Sequence, residues 1–377
     1  MTNATMDQLI SQVADFSKKV IQPVAAEYDK TEAYPEEQLK QLSDMDVLRM
    51  PFDGLYGGLG GSFKDFLDVI RIVSRDCAST ASILLTQSSM GIWPIYQYGT
   101  EYQKQTYLPS TLSGELLCAY GLNELGMNND LENMETLAVE REDYWELNGA
   151  KTFVSHAGKA NIYLVGSKTI AEDGTKGYGN FILDAEMWGL TIGNIEEKMG
   201  MRALPVASLE FENIRIPKEN VLGGQCNGAE QCQAINDRIR LSIAAQAVGI
   251  AEGAFDRALN YVSQERKFGQ RLIDLRNTQF KLAETYTELQ ATAALLNQIV
   301  SSHHTDSTMI AMVKLKAANT AVEVTEMAIQ VTGGYGYMRN NDIERYARDA
   351  KLTTIYGGSI ETQYEIISKN WVNQTQV

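Results

Sequence analysis

The chain is short of the residues that build metal and disulfide frameworks: among 377 residues there are four cysteines and three histidines. Cys77, Cys118, Cys226 and Cys232 are scattered without metal-ligand spacing, so buried or free thiols are expected and a zinc site or disulfide scaffold is not. No apolar run approaches the ~18 residues needed to cross a bilayer, and the start MTNATMDQLISQ has neither a charged n-region nor a hydrophobic h-region. A cytoplasmic protein without membrane insertion is therefore expected. Positive charge is also in deficit: 33 Lys and Arg against 48 Asp and Glu leave a formal net charge of −15. Such a surface repels phosphate backbones, which argues against a nucleic-acid partner.

What is present is ordinary globular material, with 44% hydrophobic and 21% charged residues and no low-complexity segment. The length exceeds the roughly 250 to 300 residues at which one core stops growing, so two or three domains are expected. Over residues 1–114 apolar positions recur at helical spacing, as in FKDFLDVIRIVSRDCASTASILLTQ, predicting an α-helical domain. Over 115–222 the period changes to short β-branched and aromatic runs (METLAVERED, YWELNGAKTFV, NIYLVGSKT, GNFILDAE, SLEFENIRIP) separated by turn sequences, predicting a small β domain. Within it Asn148 and Gly149 read as a hairpin turn, being residue types that accept positive φ. Over 223–377 three long amphipathic segments, each of six or seven turns, predict a second helical domain built as a bundle. The fold class is α+β.

Several local sequences carry more than this pattern. YVSQERKFGQRL, QFKLAE, QVTGGYGY, ERYARDAK and IYGG, with NELGMNND and KTFVSHAGKANIY upstream, resemble the acyl-CoA dehydrogenase family over nearly the whole chain. GGYGY alone would be weak, because it follows a helical pattern and not the strand that a Rossmann phosphate loop needs. The resemblance implies that family's fold: an N-terminal helical domain, a β-barrel-like middle domain and a C-terminal domain like a four-helix bundle. It implies a homotetramer, or a dimer, with one FAD per subunit between the middle domain and the bundle. By resemblance Tyr120, Leu122 and Asn123 line the isoalloxazine ring, while Phe153 and Ser155 meet flavin N5 and O4. Asn129 stands in the segment that holds a pantetheine arm. Arg266 and Phe268 match residues reaching a neighbour's FAD, where Arg suits a diphosphate because its planar donors pair two oxygens at once. Gln330, Gly333 and Gly334 match the adenosine-side clamp, and Ser359 and Glu361 match residues touching FAD, Glu361 departing from the common Gln.

The departure with chemical consequence is in IYGGSIETQ. Most branches of the family carry the carboxylate that takes the thioester α-proton between the residues matched by Tyr356 and Gly358; here that place is Gly357. Other branches carry it just before the Arg matched by Arg240; here that place is Ile239. A positioned general base is worth on the order of 10² to 10⁴ in rate, so efficient α,β-dehydrogenation is not expected from this loop. Hydride can instead leave a carbon already bearing oxygen, such as an aldehyde hydrate, with a hydroxyl proton lost to water. In its short length and in GMNND, where the family's usual motif is GxGSD, the chain looks like a branch from polyketide and nonribosomal peptide pathways, colibactin-type clusters included. That branch implies oxidation of a semialdehyde on an acyl carrier protein to an aminomalonyl- or hydroxymalonyl-type acid. The alternatives are an ordinary short-chain acyl-CoA dehydrogenase whose base comes from Glu124 or Glu361, and a non-catalytic FAD-binding scaffold. His156, adjacent to Ser155, is a candidate proton acceptor, against a side chain packed inside the β domain. Arg240 is a candidate partner for a nascent carboxylate or phosphopantetheine, against an ion pair with Asp237. His303 and His304 read as solvent-facing. The electron acceptor is expected to be electron-transferring flavoprotein or oxygen.

Overall fold

The computed structural model describes residues 3–127, 130–266, 269–302 and 306–374. The chain begins with helices α1 (Asn3–Phe16), α2 (Ala25–Thr31), α3 (Glu36–Asp44), α4 (Phe63–Ser74), α5 (Ala78–Leu85), α6 (Trp93–Tyr98) and α7 (Glu101–Leu112). Capping boxes start two of them: Ser62 with Asp65 opens α4, and Thr100 with Gln103 opens α7, each satisfying helix donors that would otherwise be orphaned. Phe66, Ile70 and Val73 give α4 an apolar stripe at helical spacing. Between α5 and α6 the helix widens into a π-helical stretch, Thr86–Ile92, every residue of which is buried. This stretch lies against the first strand so tightly that a Cβ on Gly91 would sit 2.2 Å from Cys118 Cβ. Gln87 fastens the contact, its Oε1 accepting the Cys118 N–H at 2.7 Å and its Nε2 donating to Leu116 O at 2.9 Å.

The middle of the chain is one sheet of seven strands: β1 (Cys118–Gly121), β2 (Leu137–Glu140), β3 (Tyr144–Ser155), β4 (Ile162–Ile170), β5 (Lys176–Asp184), β6 (Leu190–Ile192) and β7 (Val206–Pro217). β1 pairs in parallel with Ile162 to Val165 of β4, and β2 pairs in parallel with Lys168 to Ile170 of the same strand. The two therefore lie end to end along one edge of β4, and residues 122–127 and 130–136 between them lie outside the sheet. β3 pairs with β2 and β7, and its inward residues Trp145, Leu147 and Val154 pack with Phe181, Leu209 and Phe211 in the sheet's own core. The expected hairpin turn at Asn148 and Gly149 is not there. Both lie inside β3, where its register against β7 shifts between Leu147 and Gly149, and the β2–β3 turn falls at 141–143, with Arg141 N–H bonded to Tyr144 O. The same tolerance of positive φ serves a bulge as well as a turn: Gly149 has φ +137°, and a Cβ on it would come within 2.7 Å of Thr136 Cα.

Helices return with α8 (Gly228–Ser263), α9 (Arg276–Val300), α10 (Ser307–Thr332), α11 (Gly334–Tyr337), α12 (Ile343–Thr353) and α13 (Ile360–Gln374). At 36 residues α8 runs about 54 Å, touching the first helices along one part and α10 along another. Small residues set the first contact: a Cβ on Gly249 or Gly253 would lie 2.2 Å from the carbonyl oxygen of Arg71 or Arg75. One apolar core thus runs continuously from α4 and α5 through α8 into α10. Among the described residues no helix is long and apolar enough to cross a membrane.

Candidate active site

A cavity of about 500 Å³ opens where residues 122–127 and 130–132, the end of β3, α8 and the segment before α13 converge. Its β-domain wall is made by Tyr120, Leu122, Asn123, Phe153 and Ser155. Strand register explains the wall: β3 carries a second irregularity between Lys151 and Val154 that sets Phe153 at φ +54° and brings Thr152, Phe153 and Ser155 to the cavity together. Bulges re-aim side chains in this way beside functional sites. The Phe153 ring is 63% exposed. The side chains of Asn123 and Ser155 make no hydrogen bond to another described residue, so their donors remain available to a ligand. The Tyr120 hydroxyl is spent across the cavity wall, donating to Cys232 Sγ on α8 at 3.3 Å.

The loop carrying Leu122 and Asn123 is tied from behind. Lys151, fully buried, donates from Nζ to Leu122 O at 3.0 Å and to Glu124 Oε1 at 2.5 Å. Glu124 also accepts the backbone N–H of Glu135 at 2.6 Å and of Thr136 at 3.2 Å. Burial pushes the Glu124 carboxyl up, but Lys151 and these N–H donors outweigh it and hold the group below its ordinary value. Burial pushes the Lys151 ammonium down. Glu124 is therefore spent on the loop and does not line the cavity, which removes it as a displaced base.

The opposite wall contains the place where a base is missing. Gly357 has φ +64°, and a Cβ on it would fall 2.4 Å from Ile243 Cδ1 and 3.2 Å from Ile239 Cγ2. Ile239 and Ile243, one turn apart on α8 and both buried, close that corner with apolar atoms. The segment is fixed from several sides: Lys314 of α10 donates to Gly358 O at 2.5 Å, Gln363 Nε2 donates to the same oxygen at 2.9 Å, and the Tyr356 hydroxyl donates to Gln246. Glu361, the other candidate base, is exposed at the start of α13 and outside the cavity lining; the half-buried Ser359 just before the helix is also outside the lining. A hydrogen bond from Ser359 holds its carboxyl below the ordinary value. The cations are better placed. Arg240, 6% exposed, lines the cavity and donates from Nη1 to Asp237 Oδ1 at 2.7 Å, so the ion pair expected as its alternative does form. Burial pushes Lys314 down to about 7, helped by Arg240 and opposed by Glu361.

His156 is not part of this cavity, and its reading as a proton acceptor is corrected. Ser155, the last residue of β3, lines the cavity, whereas His156 opens the turn that follows with φ +71° and does not. His156 is fully buried between the sheet and the first helices, with Nδ1 3.0 Å from Cys118 O and Nε2 2.6 Å from the Tyr34 hydroxyl. A carbonyl only accepts, so Nδ1 carries the proton and Nε2 accepts from Tyr34. Burial pushes the ring down to about 4, leaving it neutral with both nitrogens engaged.

Three family profiles account for the chain in order: acyl-CoA dehydrogenase N-terminal domain over residues 3–115, middle domain over 119–214 and C-terminal domain over 227–372. The chain belongs to the acyl-CoA dehydrogenase family. A short-chain-specific acyl-CoA dehydrogenase of Clostridium acetobutylicum is 36% identical over 374 residues, covering 97% of this chain and 98% of the relative. The structure of butyryl-CoA dehydrogenase from Megasphaera elsdenii superposes with a TM-score of 0.93 at 31% identity over 99% of both chains. The prolyl acyl carrier protein oxidase AnaB superposes with a TM-score of 0.91 at 24% identity, over 98% of this chain and 100% of the other, a likeness of fold.

As an acyl-CoA dehydrogenase the protein is an FAD-dependent oxidoreductase, and the cavity fits a flavin. The β-domain wall presents an uncovered aromatic ring beside two unspent polar side chains, Asn123 and Ser155, which suits a flat ring system with a polar edge. The residues matched to the adenosine side lie elsewhere. Arg266 is exposed and donates to the Tyr261 hydroxyl at 2.7 Å; Tyr261 stacks on Tyr335, next to Gly334. Gln330 borders a shallow groove with Lys281 and Met327. Cβ atoms on Gly333 or Gly334 would meet nothing within 4 Å, so nothing in this chain's own packing calls for glycine's size there. Asn129, Phe268, His303 and His304 lie outside the described residues. Among the described residues no group of three or more His, Cys, Asp or Glu side chains could hold a metal ion. Sequence reasoning missed Lys151 and Lys314. The signal for Lys314 was its place on the stripe Ile310, Ala317 and Ala321 of α10, all buried, where a lysine must find a partner.

Proposed function

We propose that this acyl-CoA dehydrogenase acts on a short acyl group carried as a CoA thioester, with the acyl carbons held between the flavin and the Ile239–Gly357 wall. The observation that carries this is the single cavity that sets Asn123, Phe153 and Ser155 opposite Ile239, Arg240 and Gly357. The short-chain specificity of the Clostridium relative supports the CoA thioester and the chain length. When bound, FAD supplies a two-electron acceptor at N5. Asn123, Phe153 and Ser155 would hold it, the first and last through their free polar side chains, and the pair Lys151–Glu124 keeps the 122–124 segment in place. A homotetramer, with Arg266, Gln330, Gly333 and Gly334 serving a neighbour's FAD, and electron-transferring flavoprotein as acceptor belong to the same proposal.

One observation favours a second reading: neither base position holds a carboxylate, and the first is closed by Ile243. Under it the substrate is an aldehyde-level acyl group on a carrier protein. Bound FAD would supply the acceptor for the hydrate's C–H hydride, and water would take a hydroxyl proton, leaving the malonyl-type acid. Anaerobic mixing of the FAD-loaded protein with butyryl-CoA, and separately with a malonyl-semialdehyde carrier protein, separates the two by bleaching of the visible flavin band. Bleaching by butyryl-CoA within one turnover time supports α,β-dehydrogenation; bleaching by the aldehyde alone supports the second reading. A flavin that neither reduces is a scaffold, and both readings then fail.

A further inference from the structure

We propose that Arg238 holds a small carboxylate in a niche between the starts of α4 and α6, on the face of α8 turned away from the cavity. The α8 residues that line the cavity, Cys232, Gln233, Asn236, Ile239 and Arg240, share one side of the helix; at about 3.6 residues per turn, position 238 falls on the other. The site is therefore a second one, independent of which substrate the cavity takes.

The Arg238 guanidinium lies over the Phe63 ring, 3.6 Å from its centroid, and over the Trp93 ring at 4.9 Å. Stacking of this kind takes the flat faces of a guanidinium and leaves the N–H donors along its edge unspent. Nε is buried with no partner, and neither Nη donates a hydrogen bond among the described residues. No carboxylate compensates the charge. Every other arginine among the described residues is either exposed, as are Arg215, Arg266, Arg276 and Arg339, or paired with an acid. Arg238 is neither, although the chain has 48 Asp and Glu to offer. Burial pushes its guanidinium down to about 9 with no neighbouring charge opposing it, so it still carries its proton at neutral pH. A cation drawn out of water without an acid is a costly arrangement unless something from outside completes it. Phe63 and Trp93 are themselves half-buried, so the niche reaches the surface and can be entered. One positive charge asks for one negative charge. A carboxylate closes that balance and lays two oxygens in the plane of the fork, whereas a phosphate, at about −1.5 to −2, adds surplus negative charge to a chain already at −15.

The test titrates the FAD-loaded protein with sodium acetate, and separately with sodium phosphate and sodium chloride at matched ionic strength. Binding is read by isothermal calorimetry and by tryptophan emission, since Trp93 is stacked on the charge. Acetate is expected to saturate one site at least about tenfold more tightly than chloride. Arg238→Met is expected to weaken acetate by about tenfold or more, and Arg238→Lys, which keeps the charge without the fork, to fall between. Trp93→Phe should silence the emission change while calorimetry still records the site. Acetate no tighter than chloride, acetate binding unchanged in Arg238→Met, or phosphate tighter than acetate overturns the inference. If Arg238→Met does not fold, Arg238→Lys decides in its place, and a lysine variant that takes acetate as tightly as the unaltered protein overturns the role of the fork. A changed oligomeric state in Arg238→Met, with no acetate site in the unaltered protein, means that an acid of a second copy fills the niche, and the proposal fails.

Discussion

Replacing Gly357 tests whether the empty base position is merely vacant or structurally closed. Two effects oppose any side chain there. With φ at +64°, an L-residue pays about 1–2 kcal/mol for the left-handed conformation. The new Cβ would also stand 2.4 Å from Ile243 Cδ1, forcing that side chain off its rotamer at about 0.5–1.5 kcal/mol. Gly357→Ala is therefore expected to destabilise by about 1.5–3.5 kcal/mol. For a chain this long the unfolding entropy is roughly 0.8 kcal/mol/K, so the melting temperature falls by about 2–4 °C if the protein unfolds in one transition. The readout is thermal release of flavin fluorescence at saturating FAD, which keeps cofactor linkage constant. Ile243→Val removes the Cδ1 atom that clashes, at about 1 kcal/mol on its own. In that background the Gly357→Ala penalty should shrink by about 0.5–1.5 kcal/mol, a coupling a double-mutant cycle resolves. Gly357→Glu in the same background is expected to speed flavin reduction by butyryl-CoA by about 10²-fold or more, and Gly357→Glu alone by far less. A Gly357→Ala protein that melts with the unaltered one, or a cycle with no coupling, refutes the closed corner.

Two further outcomes follow from buried polar groups. His156 has its ring depressed to about 4 from an ordinary ~6.5, so the stability it supports is complete above pH 6.5 and is lost as pH falls toward 4, by about 3 kcal/mol in total. His156→Asn, which tolerates the local φ of +71°, should therefore flatten the loss of stability between pH 7 and 4.5 while leaving anaerobic flavin reduction at neutral pH within about threefold; an unchanged pH slope contradicts the assignment. Lys151→Met strands the buried Glu124 carboxylate and frees Leu122 O, which should cost about 3–5 kcal/mol and weaken FAD binding measured by flavin fluorescence. The double variant with Glu124→Gln should recover much of the stability, and no recovery would mean that the pair does not act as a unit.

The helix, sheet, helix order was legible because the spacing of apolar residues changes between the outer segments and the middle one, and that spacing is set by burial alone. Asn148 and Gly149 were legible as a positive-φ site but not as a turn, since a bulge and a turn ask for the same residues and only the strand partner distinguishes them. Of the two readings of His156 the packed side chain holds, because β3 ends at Ser155 and the turn at φ +71° carries the next residue into the core. The loss of a carboxylate at Gly357 could be read directly, whereas its closure by Ile243 needed the crossing of α8 with the loop, a contact more than a hundred residues apart in sequence. Charge balance carries the same lesson further. Without a carboxylate at 357 the corner holds Arg240 and Lys314 against Asp237, with Glu361 acting on Lys314 from the start of α13. Lys314, pushed to about 7 by burial with Arg240 adding to it, can shed its proton near neutral pH. Arg240 cannot, because a guanidinium keeps its proton. Asp237 already matches Arg240, so a proton lost from Lys314 leaves the corner balanced, and the missing carboxylate at 357 is a statement about the state of Lys314 as well as about the chemistry.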